Sequence, residues 1–310
     1  MRTLFPSAAG PDSSPDMARI IRFPAALKQR RVIRDLRGLP ASLARQGALE
    51  LRLATTKNEI RKAQRLRYKV FFKEGGAAPD RTARLVRRDI CPYDRICDHL
   101  IVIDHAARSK RLGMRKSRVV GAYRLLRSDM ALGPLGFYSA REFDLAPLLA
   151  RHADKPFLEL GRSCVHPGYR TRRTIDLLWQ GIGIYIAHHG IGVLIGCASL
   201  KGRDPAALAH ELGYLHHFAG PKDAEWRARA LGPRRAPMDA LAPDAVDQRA
   251  ALRALPPLIK GYLRCGAVVG DGAVVDRQFG TVDVLMVMPV ARIDPRYLRQ
   301  FGAEIIRPAA

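Results

Sequence analysis

The residues best equipped for chemistry stand where a folded chain least tolerates charge. The stretch FLELGRSCV, residues 157–165, reads as a buried strand, yet it carries Glu159 and Arg162. Side chains alternate along a regular strand, so Glu159 would share a face with Gly161 and Ser163, and Arg162 would lie opposite with Leu158 and Leu160. A bulge at Gly161 shifts the register by one residue, brings both charges to one side and frees a backbone N–H able to polarise a carbonyl oxygen. A carboxylate in that position can accept a proton. The plainer alternative is a salt bridge tying neighbouring elements together.

The hinge that follows, HPGYRTRRT, sets Arg170, Arg172 and Arg173 ahead of Thr174 and a helix. A helix N-terminus offers free amides, and arginines beside it stabilise a phosphate. A solvated charge cluster is the alternative. Upstream, RLRYKVFFKEG places Arg67 and Phe71 one helical turn apart, and Glu74, Asp89, Asp94 and Asp98 follow. In so basic a chain, that knot of acids suits an ammonium-bearing ligand or neutralises nearby arginines. Arg124, inside VVGAYRLL, needs an anionic partner, either a structural acid or a ligand. His99 opens an apparent strand and fits a core histidine with a satisfied hydrogen bond.

Periodicity predicts the elements that must position these residues. LRLA from Leu51 reads as a strand, and TKNEIRKAQRLRYKVFF as a helix with Thr56 as N-cap and Ile60, Ala63, Leu66, Arg67 and Val70 at helical spacing. HLIVID and RVVGAYRLL, joined by a basic loop, form a hairpin. After the charged strand come the helix TIDLLWQGIGIYIAHH, a turn at His189 and Gly190, and the strand GVLIGCASL. The helix DPAALAHELGYLHHF, a Pro- and Arg-rich connector at 220–250, the segment ALPPLIKGYLRCGAVVG and the strand TVDVLMVMPV complete the chain. Antiparallel strands early and a strand-helix-strand unit later indicate an α/β (α+β) mixed sheet with helices on both sides, in one domain over 49–300. Residues 1–48 read as a basic, partly disordered extension. An amphipathic helix on an anionic bilayer is the alternative there, although Pro24 interrupts it.

Charge narrows the partners. The chain has 53 Lys and Arg against 29 Asp and Glu, a formal net charge of +24, which predicts an anionic partner. No recognised nucleic-acid module accompanies that charge, so specific nucleic-acid binding is not expected. Five cysteines with no CxxC pair read as reduced thiols of a cytoplasmic protein, with no metal site. The N-terminus lacks an apolar run long enough for a secretory signal.

Taken in order, the RxxxF helix (Arg67, Phe71), the acidic loop with Asp94, GAYRLL with Arg124 and ELGRSCV with Glu159 and Arg162 resemble the GNAT-like acyltransferases that draw acyl chains from acyl carrier protein. Acyl-homoserine lactone synthases share that pattern. The later blocks RDPAALAHELGYLHHF and LPPLIKGYLRCGAVVG resemble the bacterial ornithine-lipid N-acyltransferases, and the similarity runs over about 50–295.

The resemblance implies a GNAT-like, mostly antiparallel central sheet flanked by helices on both faces. It implies transfer of a 3-hydroxyacyl chain from the phosphopantetheine thioester of acyl carrier protein to the α-amine of L-ornithine, with no bound cofactor. Glu159 would accept the amine's proton, and amides around Cys164 and Val165 would hold the oxyanion. A covalent acyl-Cys164 is the lesser alternative. Arg124 or Arg162 would pair with the substrate carboxylate and Asp94 and Asp98 with its side-chain ammonium, while Arg67 and Phe71 belong to the same substrate site. Arg170, Arg172, Arg173 and Thr174 would grip the single phosphate of the pantetheine arm. The amphiphilic product needs a second O-acyltransferase, which suits a cytoplasmic protein resting on the anionic inner-membrane surface. A synthase that acylates S-adenosylmethionine is the competing assignment.

Overall fold

The computed structural model describes residues 36–108, 116–222, 224–294 and 296–297. All belong to one compact unit, Val32–Ala310. Residues 1–35, which hold most of the expected N-terminal extension, lie outside the described residues. The folded part begins ahead of residue 49, because Leu39 is buried and a strand already pairs at Ala44.

β1 (Ala44–Gln46) and β2 (Leu49–Leu53) form a hairpin, and Thr56 then caps α1 (Lys57–Tyr68) in a reciprocal box with Glu59. The helix does not continue to Phe72 in α form, as its periodicity predicts. It widens into a π turn over Lys69–Glu74. After α2 (Arg81–Val86), the expected second hairpin is present as β3 (Asp98–Asp104) and β4 (Arg118–Arg127). β5 (Phe143–Asp144) and α3 (Ala146–Arg151) lead to the charged strand β6 (Phe157–Val165). α4 (Arg172–His189) then ends on Gly190 in the left-handed region, φ +57°, and the chain turns into β7 (Val193–Lys201).

The C-terminal third opens with α5 (Ala209–Ala219) and the short strands β8 (Arg229–Ala230) and β9 (Arg235–Ala236). α6 (Gln248–Ala254) and α7 (Pro257–Arg264) follow. β10 (Val268–Val269), β11 (Ala273–Asp276) and β12 (Thr281–Pro289) close the fold.

The main sheet has the order β1-β2-β3-β4-β6-β7-β12-β11-β9, with β10 also on β12. Every neighbouring pair is antiparallel except β6 and β7, which α4 connects as the crossover that parallel strands require. On one face Leu178, Ile182 and Tyr185 of α4, with Leu215 of α5 and Ile259 of α7, cover Leu51, Leu100 and Leu158. On the other, Ala63 and Leu66 of α1 cover Ile101, Ala122 and Cys164. Phe143, Leu148 of α3 and Trp226 continue that layer over Phe157, Ile195 and Leu285. Helices on both faces of a mixed, mostly antiparallel sheet are what the sequence predicts.

One interruption in this sheet makes room for a site. β6 and β7 pair only from Phe157 with Val193 to Glu159 with Ile195. Beyond that point they separate, and Gly196 marks the last close approach: a Cβ there would lie 2.4 Å from the Leu160 carbonyl oxygen.

Candidate active site

A cavity of about 370 Å³ fills the gap between the parting strands. Gly161, Arg162 and Ser163 line it from β6, and Cys197, Ala198 and Ser199 from β7. Arg124, Phe71 and Glu159 reach it on the α1 side, Pro256 and Leu258 on the α7 side.

The charges of β6 meet here because the strand is irregular. Ala122 of β4 faces Cys164 and Arg124 faces Gly161, so β6 carries one more residue than β4 across that interval. The bulge sits at Arg162 and not at Gly161 as predicted: Arg162 itself takes the left-handed conformation, φ +52°, rare for a residue with a side chain. Glu159 and Arg162 therefore both line the one cavity. The extra residue also alters the fate of the amides downstream. His166 donates to Val120 O, so alternation turns the Val165 N–H away from β4, and the Val165 carbonyl accepts from Arg170 Nε at 3.2 Å. The same alternation points the Cys164 N–H at β4.

Glu159 is buried and fixed by three donors. The backbone N–H groups of Tyr138 and Ser139 each donate to it at 2.7 Å, and the Ser139 hydroxyl adds a short third bond. Burial nevertheless dominates and holds its carboxyl above the usual range, partly offset by Ser139 and Tyr138. A raised carboxylate in a half-closed cavity is suited to accepting a proton near neutral pH.

Arg162 stands over the rings of Tyr138 and Phe279, 4.9 and 4.8 Å from their centroids, and pairs with Asp89 at 3.3 Å. Arg124 is almost fully buried over Tyr93 and Tyr138, with Asp94 at 3.6 Å, beyond hydrogen-bonding range. Its Nη1 is buried without a hydrogen-bond partner.

Several predicted site residues are elsewhere. Arg67 is 1% exposed and grips Asp94 through both terminal nitrogens, at 2.8 and 2.7 Å, while its Nε pairs with Asp89 at 2.8 Å. Asp94 also accepts from Gln64 at 2.8 Å and from the Cys91 N–H at 3.2 Å. Burial opposes its ionisation, but Arg67 prevails and holds the carboxyl far below the usual range. Both residues are consumed by each other, so neither has a face left for substrate. Asp98 turns to the α4 face, where the Tyr185 hydroxyl donates to it at 2.6 Å and Arg127 pairs at 3.3 Å. The Cys164 thiol lies in the α1 layer, where burial pushes it up to about 12, and it does not line the cavity. A thiol so placed is no nucleophile.

The hinge residues separate as well. Arg170 pairs with Glu74, and Arg172 is largely exposed beside Asp176 at 3.5 Å. The Arg173 guanidinium lies against Gly47 in the β1–β2 turn, and Thr174 is buried with its hydroxyl 3.4 Å from that of Thr171. A larger basic groove of about 650 Å³ opens beside the hinge. Lys62, Arg65, Lys69, Arg108, Lys116 and Arg118 line it together with His166.

Reading along the chain missed Tyr138, Ser139 and Phe279, and three buried acids close to one another, Glu142, Asp276 and Asp283. Asp283 did leave a signal, a lone carboxylate within the apolar strand TVDVLMVMPV.

Comparison with known proteins agrees with the topology. Residues 66–180, from the last turn of α1 to the middle of α4, match the model of the acetyltransferase (GNAT) domain. The L-ornithine N(alpha)-acyltransferase of Agrobacterium fabrum is 49% identical over 263 residues, 85% of this chain and 88% of that protein. That of Brucella abortus is 46% identical over 86% of this chain and 92% of its own. The chain belongs to the L-ornithine N(alpha)-acyltransferase family. Among solved structures, FeeM, an N-acyl amino acid synthase from uncultured soil microbes, aligns over 81% of this chain and 93% of its own at 11% identity and a TM-score of 0.39. Among the described residues of this family member, no helix is long and apolar enough to cross a membrane.

Proposed function

We propose that the cavity between β6 and β7 transfers a 3-hydroxyacyl chain from acyl carrier protein to the α-amine of L-ornithine, forming lyso-ornithine lipid. The observation that carries this reading is the bulge at Arg162, which puts a raised carboxylate and a guanidinium on one cavity at the point where two parallel strands part. Membership of the ornithine acyltransferase family supplies the acceptor, because its curated members are named for acting on L-ornithine.

In the proposed reaction Glu159 takes a proton from the α-ammonium, and the free amine attacks the thioester carbonyl. A C–N bond forms and the C–S bond breaks; the proton shed by the newly bonded nitrogen leaves on the pantetheine thiol, and the proton held by Glu159 passes to solvent, which restores the carboxylate. The Val165 N–H, turned from β4, and Ser163 lie on the side where the oxyanion would develop. Arg124 and Arg162 hold the substrate carboxylate. Leu258 and the apolar lining of Leu160, Tyr262, Met286 and Met288 beyond it suit the acyl chain.

The donor would dock on the basic groove at the C-terminal end of α1, beside His166 at the start of the hinge, since an acidic carrier and a single phosphate both seek positive charge. The same charge would hold the protein against an anionic inner-membrane surface, on the cytoplasmic side, where a second O-acyltransferase would take the product. Incubation of the purified protein with 3-hydroxyacyl carrier protein and a panel of amino acids, followed by mass spectrometry, tests this. N-acyl ornithine as the main product is expected. An acylated S-adenosylmethionine derivative, or no product with any acceptor, would overturn it.

A further inference from the structure

The cavity has an acidic end that the mechanism does not use. Asp276 closes β11 and Asp283 lies on β12, both lining the cavity, and Glu142 stands just behind Cys197. The three are 5 to 7% exposed, and one carboxylate oxygen from each lies within 4.8 Å of the others. Three like charges at that spacing repel, and burial adds to the cost. Burial above all, with Glu142 and Asp276 alongside, pushes Asp283 up to about 7 against the Thr281 and Ser199 hydroxyls, and burial likewise raises Glu142. Arg234 is 3.8 Å from Glu142, and among the described residues no lysine or arginine is recorded in an ion pair with Asp276 or Asp283.

An acidic cluster alone is no site, but this one shares its cavity with an opposite demand. Arg124, 3% exposed, keeps Nη1 without a hydrogen-bond partner, and its Nη2 and Nε lie 3.7 and 3.8 Å from where Gly161 would carry a Cβ. Glycine at 161 thus leaves the guanidinium edge uncovered on a residue that lines the cavity. One cavity then holds a buried guanidinium whose Nη1 stands 3.6 Å from Asp94, beyond a hydrogen bond, and a cluster of buried carboxylates that lie beside one another.

Between the two stands Glu159. Its partner Ser139 accepts from Cys197 Sγ at 3.3 Å, and Cys197 reaches Glu142 at 3.5 Å. The acids are therefore two side chains removed from the proposed proton acceptor.

The geometry points to Asp283, with Asp276 and Glu142, as the subsite for the side-chain ammonium of a diamino-acid acceptor, opposite the guanidinium end that takes its carboxylate. This assignment rests on the proposed amino-acid acylation. An ammonium brings three N–H donors, and each carboxylate oxygen can accept more than one. Asp283 accepts from Thr281 at 2.8 Å and from Ser199, Asp276 Oδ1 from the amides of Gln278 and Phe279 at 2.7 and 2.9 Å, and Glu142 from Cys197, so acceptor capacity remains at the cluster. With the α-amine at Glu159, the methylenes of ornithine span the Ser139 and Cys197 side chains. The arrangement selects for a terminal amine, since an aliphatic acceptor would bring no cation to Asp276 and Asp283.

Calorimetric titration with L-ornithine and with L-norvaline, the same chain without the terminal amine, tests the assignment with no substitution at all. Ornithine should bind about 10- to 100-fold more tightly, the range of a charge-assisted hydrogen bond in a desolvated site. Asp283→Asn should bring the two within about threefold. Equal binding of both ligands to the wild-type protein, including no binding of either, overturns the proposal, as does full preference retained in Asp283→Asn. Magnesium or manganese that binds there and is not displaced by ornithine would also overturn it and identify a metal site. Selective ornithine binding with no product in the mass-spectrometric panel would remove the acylation reading and leave the ammonium subsite. Transfer to ornithine and norvaline alike would do the reverse.

Discussion

Two of the buried charge clusters among the described residues differ in whether their partners are inside the protein. Around Arg67 the signs alternate: Asp94 and Asp89 enclose the guanidinium, Gln64 and the Cys91 amide complete Asp94, and His99 reaches the Asp94 carbonyl at 3.1 Å with burial holding its imidazole down to about 4. That cluster is closed and joins α1 to the loop before β3. Around Glu142, Asp276 and Asp283 the signs repeat, the cavity adjoins, and burial pushes the Asp283 and Glu142 carboxyls up. The first cluster has the energetics of a structural ion pair and the second those of a waiting site. Residue type alone does not distinguish them, because both are acids and arginines near a strand.

The comparison breaks most readily at Arg67. Arg67→Ala takes the bidentate partner from buried Asp94 and leaves Asp89 with Arg162 alone, and urea unfolding should show a loss of about 3–5 kcal/mol. An unchanged midpoint would mean the closed cluster is not structural. Acid should expose the same dependence. The folded Asp94 carboxyl titrates below its unfolded value, so its contribution is complete above about pH 4 and lost as pH falls through the folded value. Wild-type stability should therefore drop on acidification below pH 4, and Arg67→Ala should show a shallower drop.

Gly196→Ala comes next, because its methyl would meet the Leu160 carbonyl and push β6 and β7 apart where the cavity begins. A destabilisation of about 1–3 kcal/mol is expected by the same denaturation.

Asp283→Asn should move stability the other way. Asp283 titrates at about 7 when folded, above its unfolded value near 4, so its ionisation opposes folding above pH 7 and has no effect well below pH 4. The variant should melt a few degrees above wild type at pH 8, with the difference vanishing toward pH 4. A lower Tm at pH 8 would class Asp283 with the closed cluster. The smallest effect belongs to Arg172→Ala: one exposed arginine beside Asp176 is screened, and in the proposed reaction the KM for the 3-hydroxyacyl carrier protein should rise by about twofold or less. A tenfold rise would move the phosphate grip from the basic groove to the hinge.

Much of this was legible in the chain. Thr56 announced the start of α1, the GAYRLL and ELGRSCV strands fell where expected, and a bulge was needed to reconcile Glu159 with Arg162. Its position was not legible, because Gly161 is the residue that tolerates positive φ best and Arg162 adopts it instead. Asp94 and Asp98 were drawn to the site by proximity in sequence to the RxxxF helix. Only the fold shows that Arg67 consumes the first, and that β3 turns the second toward Tyr185. The opposite error hid Glu142, Asp276 and Asp283, which come from a turn, a strand end and a strand far apart in sequence. Sheet pairing across β12 and β11 assembles them, and no local pattern encodes that meeting.

The central claim is that Glu159, brought to the cavity by the bulge, accepts the proton of the attacking amine. It is tested most directly by single-turnover acyl transfer from 3-hydroxyacyl carrier protein to L-ornithine in Glu159→Gln, on protein shown to be folded by near-UV circular dichroism. The account predicts a rate about 10²- to 10⁴-fold below wild type. A folded Glu159→Gln that transfers within threefold of the wild-type rate would contradict it.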